Sequence, residues 1–243
     1  MTAASVPARE RRDERWREWR AGLAAIAPVA IAAVPIGLLF GALASAKGLS
    51  VLEAGLMSVL VFAGGAQFAA LELWTHPVPV AALIFSTLLI NARHILMGAS
   101  LTPKTGLFSP WQRYLGFYFL TDESWALAER RALKARLTPA YWFALATMLP
   151  TAWIGSTFVG AGIGAFLGDP RQVGADFAFT ALFIGLVAGF WNGRVTAATI
   201  AASGGVAALT YVTLGPPWHV AAGALAGIAA AYIAAPAEAE GAA

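Results

Sequence analysis

The chain contains no cysteine among its 243 residues. That excludes a disulfide framework, a thiolate nucleophile and a cysteine-based metal site, and it leaves the redox compartment unread. Charge is scarce as well. Asp, Glu, Lys and Arg make up 12% of the chain while 59% is hydrophobic, and a soluble domain carries about 25% charged residues. A soluble helical protein does not fit that balance, because too few polar residues remain to cover its outside. Also missing are the GxxxxGK[ST] loop that cradles nucleotide phosphates, and the HExxH zinc helix and GxSxG nucleophile elbow. The chain therefore reads as a non-enzyme without a cofactor. Its net charge of +3 does not signal nucleic acid.

What is present is a series of apolar runs, each near the ~20 residues that a bilayer-spanning helix needs. Ala21–Ala46 and Ala54–Leu71 carry no charge at all. Eight apolar segments are expected, at 21–46, 51–74, 78–101, 111–128, 139–167, 175–193, 195–214 and 217–235. All should be helices or half-helices, since lipid offers backbone groups no other partner. The expected fold is an all-α polytopic membrane protein of about seven to eight transmembrane helices, some broken by proline or glycine, with two pseudo-repeat halves left open. Residues 1–20 form a basic cytoplasmic segment, 21–235 a single transmembrane domain and 236–243 a disordered tail.

Six arginines lie between Arg9 and Arg20, where positive-inside bias places them in the cytoplasm. The segment Glu10–Arg20, with Trp16 and Trp19, suits an interfacial amphipathic helix. The run after it is too long for the h-region of a cleavable signal. With the N-terminus inside, Arg130, Arg131, Lys134, Arg136 and Arg194 also fall inside, whereas Lys47, Lys104, Arg113 and Arg171 fall in outer loops. The two basic clusters share a side only if an even number of crossings separates them.

Local punctuation marks several helix starts. Ser50 and Glu53 make a capping box with Leu49 as staple, and Thr138-Pro139 is an N-cap followed by proline at the first helical position. Pro28, Pro35 and Pro150 are expected to interrupt the first and fifth segments, as in transporters built from broken helices. Small residues at spacing four (Gly37/Gly41/Ser45, Gly160/Gly164, Gly185/Gly189/Gly193 and Gly223/Gly227) suit close helix packing.

Polar residues inside these runs are the candidates for function. Gly64 and Gly65 weaken a helix in mid-membrane. A break there frees backbone groups for a small polar ligand, with Gln67 just beyond. Asn91 and His94 share a helix face, and Arg93 between them is costly at hydrocarbon depth. Arg93 has three readings: an ion pair with Glu72, Asp122 or Glu123, a fork for a substrate carboxylate, or a snorkel to the interface. Thr121-Asp122-Glu123-Ser124 interrupts the fourth segment. Adjacent carboxylates suit proton coupling, and they equally suit a helix N-terminus capped by Thr121. His94 is a further proton candidate. The expected site is thus Gly64, Gly65, Gln67, Asn91 and Arg93 for substrate, and His94, Asp122 and Glu123 for the proton, around one water-accessible hollow.

Several stretches resemble one known family. They are Phe40-Gly-Ala-Leu-Ala44, Gly48-Leu-Ser50, Glu53-Ala54, Met57-Ser58, Leu60-Val-Phe-Ala-Gly64, Ala66-Gln67-Phe68-Ala69, Asn91-x-Arg93-His94-x-Leu96-Met97-Gly98-x-Ser100-Leu101-x-Pro103 and Thr121-Asp122-Glu123-Ser124-Trp125. Together they resemble the AzlC family, most densely from Gly37 to Ala128. Gly65 stands where many relatives are expected to carry alanine. The resemblance implies the large subunit of a branched-chain amino acid exporter in a bacterial inner membrane, working with a small hydrophobic multi-span partner, AzlD. It carries no catalytic residues over. The alternative function is an amino-acid-binding channel or sensor without active transport.

Overall fold

The computed structural model describes residues 8–167, 177, 184, 187–188, 191, 193–215 and 218–234. Among them every regular element is helical: α1 (Ala8–Ala46), α2 (Val51–Leu60), α3 (Gly64–Leu73), α4 (Val80–Asn91), α5 (Arg93–Leu101), α6 (Pro110–Tyr118), α7 (Asp122–Ala132), α8 (Pro139–Leu167), α9 (Gly193–Leu214) and α10 (Trp218–Ala234). Among the described residues four stretches are long and apolar enough to cross a membrane: Arg12–Ala46, Val80–Lys104, Pro139–Gly164 and Gly193–Leu214. Val51–Leu60 and Trp218–Ala234 are shorter apolar helices. The protein is an all-helical polytopic membrane protein. The sixth expected segment, 175–193, with Asp176, Asn192, Gly185 and Gly189, lies largely outside the described residues.

Within the stretch expected as one domain the chain forms two compact units. One contains Met1–Leu71 and Asn91–Ala175, the other Glu72–Ile90 and Asp176–Ala243. The first is built on α1 and α8. A Cβ added at Gly22 would meet Tyr141 and Ala144, one at Gly37 would meet Trp153 and Ser156, and one at Gly41 would overlap the backbone of Thr157. Positions rise together along both helices, so α1 and α8 run parallel. Helices whose N-termini share a side are separated by an even number of crossings, as the charge pattern requires. Glu18 confirms the shared end, because it accepts hydrogen bonds from Arg131 (2.7 Å) and Thr138 (2.8 Å). Gly160 and Gly164 face Leu38 and Ala42 with no room for a methyl group. The spacing-four glycines there serve packing, which is what van der Waals association in lipid demands.

The prolines do not break these helices. α1 runs through Pro28 and Pro35, and α8 runs through Pro150. The expected interruptions are absent because an apolar setting gives unwound backbone no partner, and the glycine-mediated contact holds both helices along their length. At 39 residues α1 spans about 58 Å, well beyond the ~30 Å hydrocarbon core. The residues from Ala8 to Arg20 thus continue the helix instead of forming a separate one.

The real interruptions fall elsewhere. The second expected segment splits at Val61–Ala63, just before Gly64-Gly65, so Gly64 opens α3. The third kinks at Ala92, between α4 and α5. The fourth splits at 119–121 into α6 and α7. Expected caps appear where predicted. Ser50 and Glu53 exchange both capping-box hydrogen bonds, Thr138 accepts from Tyr141 N, and Thr121 caps α7 with Asp122 and Glu123 in its first turn.

The fourth segment is not a span. Lys104 Nζ reaches Glu129 Oε1 at 2.7 Å, and Arg113 donates through Nη2 to the Thr105 carbonyl at 3.1 Å. α7 then ends beside Glu18 through Arg131. α6 therefore leaves the basic end and α7 returns to it, as a re-entrant hairpin. Its arms of 9 and 11 residues reach about 14 and 17 Å, half the membrane. Lys104 and Arg113, expected in outer loops, lie at the basic end, which sharpens the charge asymmetry.

In the second unit, α9 and α10 pack antiparallel. Gly223 faces Ala207 and Ser203, and Gly227 faces Ser203 and Thr199. Phe85 of α4 meets Trp218 with ring centroids 5.1 Å apart.

Candidate functional site

The three interruptions in the 51–128 region are linked. Phe62, in the first break, packs against Phe119 in the third at 5.1 Å and against Tyr118 at 5.2 Å. The Tyr118 hydroxyl donates to the Val59 carbonyl at 2.9 Å, one of the carbonyls that the end of α2 leaves without a helical partner. Arg93, at the second break, pairs with Asp122 just past the third, Nη2 to Oδ2 at 2.9 Å. Two tips and a kink therefore meet where half-helices α3, α5 and α7 begin.

The eight expected residues fall into two groups. The first surrounds Gln67, which is fully buried together with Ser58 and Thr157. Gln67 Nε2 donates to Ser58 Oγ at 2.9 Å, Ser58 Oγ shares a 3.0 Å hydrogen bond with Thr157 Oγ1, and Trp153 Nε1 donates to Gln67 Oε1 at 2.9 Å. Ser58 lies before the break and Gln67 after it, so the string sutures α2 and α3 across Val61–Ala63 and fixes both to α8. A Cβ on Gly64 would sit 3.1 Å from the Trp153 ring. Glycine there lets the indole approach, and Phe40 stacks on the indole's other side. Gln67 is turned into the protein interior rather than toward the Arg93 cluster.

The second group is the kink itself. Of the acids proposed for Arg93, Asp122 is its partner. The two side chains are 40% and 49% exposed, so neither is locked in the interior. His94 Nδ1 lies 3.1 Å from the Asn91 carbonyl oxygen, a capping contact at the C-terminal end of α4. Glu123 is exposed beside Asp122. Two atoms here are buried without any hydrogen-bond partner, Arg93 Nε and Asn91 Oδ1. Buried polar atoms are satisfied in the large majority of cases; Arg131 Nε, Trp142 Nε1 and His219 Nδ1 are further exceptions among the described residues.

Sequence reasoning missed the supporting residues. Ser58 and Thr157 are single hydroxyls in apolar runs, and nothing local says that they meet across 99 positions. Below the ion pair, Ser100 Oγ accepts from Trp125 Nε1 at 2.8 Å and donates to Glu129 at 2.9 Å. With Lys104 on the same carboxylate, this ladder aligns α5 parallel to α7 and holds Arg93 level with Asp122. The signal available was the pair of polar ladders Arg93/Ser100/Lys104 and Asp122/Trp125/Glu129, each at near-helical spacing. A separate cleft of about 240 Å³ opens at the basic end between Pro103–Leu107 and Ala132–Leu137. It does not touch either group.

Residues 28–167 match the sequence model of a family described as AzlC protein, and this stretch contains both groups. The chain belongs to the AzlC family. It is 33% identical over 183 residues to a membrane protein of Archaeoglobus fulgidus, covering 74% of this chain and 78% of that one. It is 29% identical over 219 residues to the inner membrane protein YgaZ of Escherichia coli, covering 84% and 85%. It is also 27% identical over 150 residues to the branched-chain amino acid transport protein AzlC of Bacillus subtilis, covering 61% of this chain and 58% of that protein. No solved structure matches the chain.

Proposed function

We propose that this AzlC-family protein is the large subunit of a secondary transporter that exports branched-chain or related amino acids. The observation that carries the reading is the Arg93–Asp122 pair at the meeting of three helix breaks, with Arg93 Nε and Asn91 Oδ1 left open. The branched-chain transport name of the Bacillus subtilis relative supports the substrate class. Half-helix N-termini favour anionic ligand groups, as at the substrate sites of transporters with discontinuous helices. Arg93 and Asn91, with the N-terminal amides of α3 at Gly64 and Gly65, bind the amino acid head. Gln67 ties α3 to α2 and α8 without touching the substrate, and the flanking apolar residues take the aliphatic side chain.

Energy comes from an ion gradient, with His94, Asp122 or Glu123 carrying a proton. The small AzlD-type membrane subunit completes the system. The basic end, with six N-terminal arginines and the α6–α7 hairpin, faces the cytoplasm of a bacterial inner membrane, by positive-inside bias.

Leucine efflux from vesicles containing both subunits tests this. Outward accumulation of leucine against its gradient, responding to an imposed pH difference, is expected. Efflux that ignores the pH difference sinks the proton step. Flow only down the leucine gradient makes the protein a channel, and binding without flow makes it a sensor.

A further inference from the structure

Arg93 and Asp122 are the first residues of α5 and α7. An acid in that position is favoured by the helix dipole and a cation is not, so helix stability explains Asp122 and leaves Arg93 unexplained. The pair meets through Nη2 and Oδ2 at 2.9 Å, although a guanidinium offers five donors. At 40% and 49% exposure neither side chain is enclosed by the protein, so both can turn to a new partner. Arg93 Nε is in addition a buried donor without a hydrogen-bond partner.

We propose that the Arg93–Asp122 pair reads the zwitterion: the substrate enters between its members, its carboxylate taking Arg93 and its ammonium taking Asp122. This rests on the export reading above and deepens it. One ion pair is exchanged for two, and the unpartnered Arg93 Nε gains an acceptor. A guanidinium offers five donors and the present contact uses Nη2 alone, so donors remain for a second carboxylate. The carboxylate also replaces Asp122 at the α5 N-terminus, where the dipole favours it. The substrate class that follows is the α-amino acid carrying both charges. A 2-oxo acid leaves Asp122 without its cation, and an amine leaves Arg93 without its anion. The side chain is read elsewhere.

The test uses the full chain purified with its small membrane partner in lipid nanodiscs. Binding of L-leucine, 4-methyl-2-oxopentanoate and 3-methylbutylamine is measured by calorimetry. Leucine is expected to bind at least tenfold more tightly than either analogue, and a smaller gap for either one overturns the proposal. Asp122→Asn is expected to weaken leucine at least tenfold while leaving the 2-oxo acid within threefold of its wild-type affinity. Equal losses for both ligands overturn the proposal as well. Should Asp122→Asn fail to fold, the three-ligand comparison on the wild-type protein still decides. If no α-amino acid binds at all, the export reading falls together with this one. If leucine binds without discrimination, only the zwitterion exchange falls.

Discussion

Two polar clusters in the first unit serve different ends. The Ser58–Gln67–Thr157–Trp153 string is closed: Ser58, Gln67 and Thr157 are fully buried, and each is hydrogen-bonded to another member. The Asn91–Arg93–Asp122 cluster is open, with a half-exposed ion pair and two unpartnered buried atoms. In an apolar setting both kinds of group carry a desolvation cost. The closed string offsets it within the protein and fixes the shape of a helix break. The open cluster leaves it unmet in this state, and a ligand is the natural source of the missing partners. Polarity in mid-membrane therefore does not by itself mark a binding site. In the proposed reading, the open ion pair separates the site from the suture.

Substitutions divide along the same line. The largest expected effect belongs to Arg93→Gln. Losing a hydrogen-bonded charge contact to the substrate costs about 1.5–3 kcal/mol, so leucine efflux should fall on the order of a hundredfold. Folding stability should fall less than transport, because neither side chain of the pair is enclosed by the protein. Efflux and thermal melting of the same preparation check both halves. Next is Gln67→Leu, which strips partners from the Trp153 indole and from Ser58. About 2 kcal/mol of stability is lost, at ~1–3 kcal/mol for a buried unsatisfied group, while efflux per folded molecule stays within a fewfold of wild type. Unfolding in denaturant and efflux normalised to folded protein measure this.

Thr157→Val removes one end of the string and leaves Ser58 still bonded to Gln67. A loss near 1 kcal/mol is expected, typical of one hydrogen bond, with transport unchanged. Trp125→Phe is the smallest change. It deletes the 2.8 Å contact to Ser100, one of several rungs between α5 and α7, at a cost of about 0.5–1 kcal/mol. If Trp125→Phe lowers efflux as much as Arg93→Gln, the ladder below the pair has a larger part in the site than its geometry indicates.

The membrane class was legible because composition and hydropathy are set by the solvent, and lipid leaves little freedom. The capping boxes at Ser50 and Thr121 and the N-cap at Thr138 were legible because they are local. The breaks were less so. Proline looked decisive at Pro28, Pro35 and Pro150, yet both helices continue through these positions, and tertiary packing overrides local propensity. The α6–α7 hairpin was hidden for a related reason: 111–128 is apolar enough for a span, and only the ties from Lys104 to Glu129 and from Arg131 to Glu18 show that it turns back. At the site, the Arg93–Asp122 pair was one of three acids named in advance. The closure of Gln67 by Ser58 and Trp153 was not foreseeable, since Trp153 lies 86 positions away.

The central claim is that the amino acid is held at the Arg93 kink and not at Gln67. The most direct measurement is leucine efflux per folded molecule for Arg93→Gln beside Gln67→Leu, each reconstituted with the small partner subunit. The account predicts loss of at least tenfold for Arg93→Gln, with near wild-type efflux for Gln67→Leu. Full efflux from Arg93→Gln, or its loss from folded Gln67→Leu alone, contradicts it.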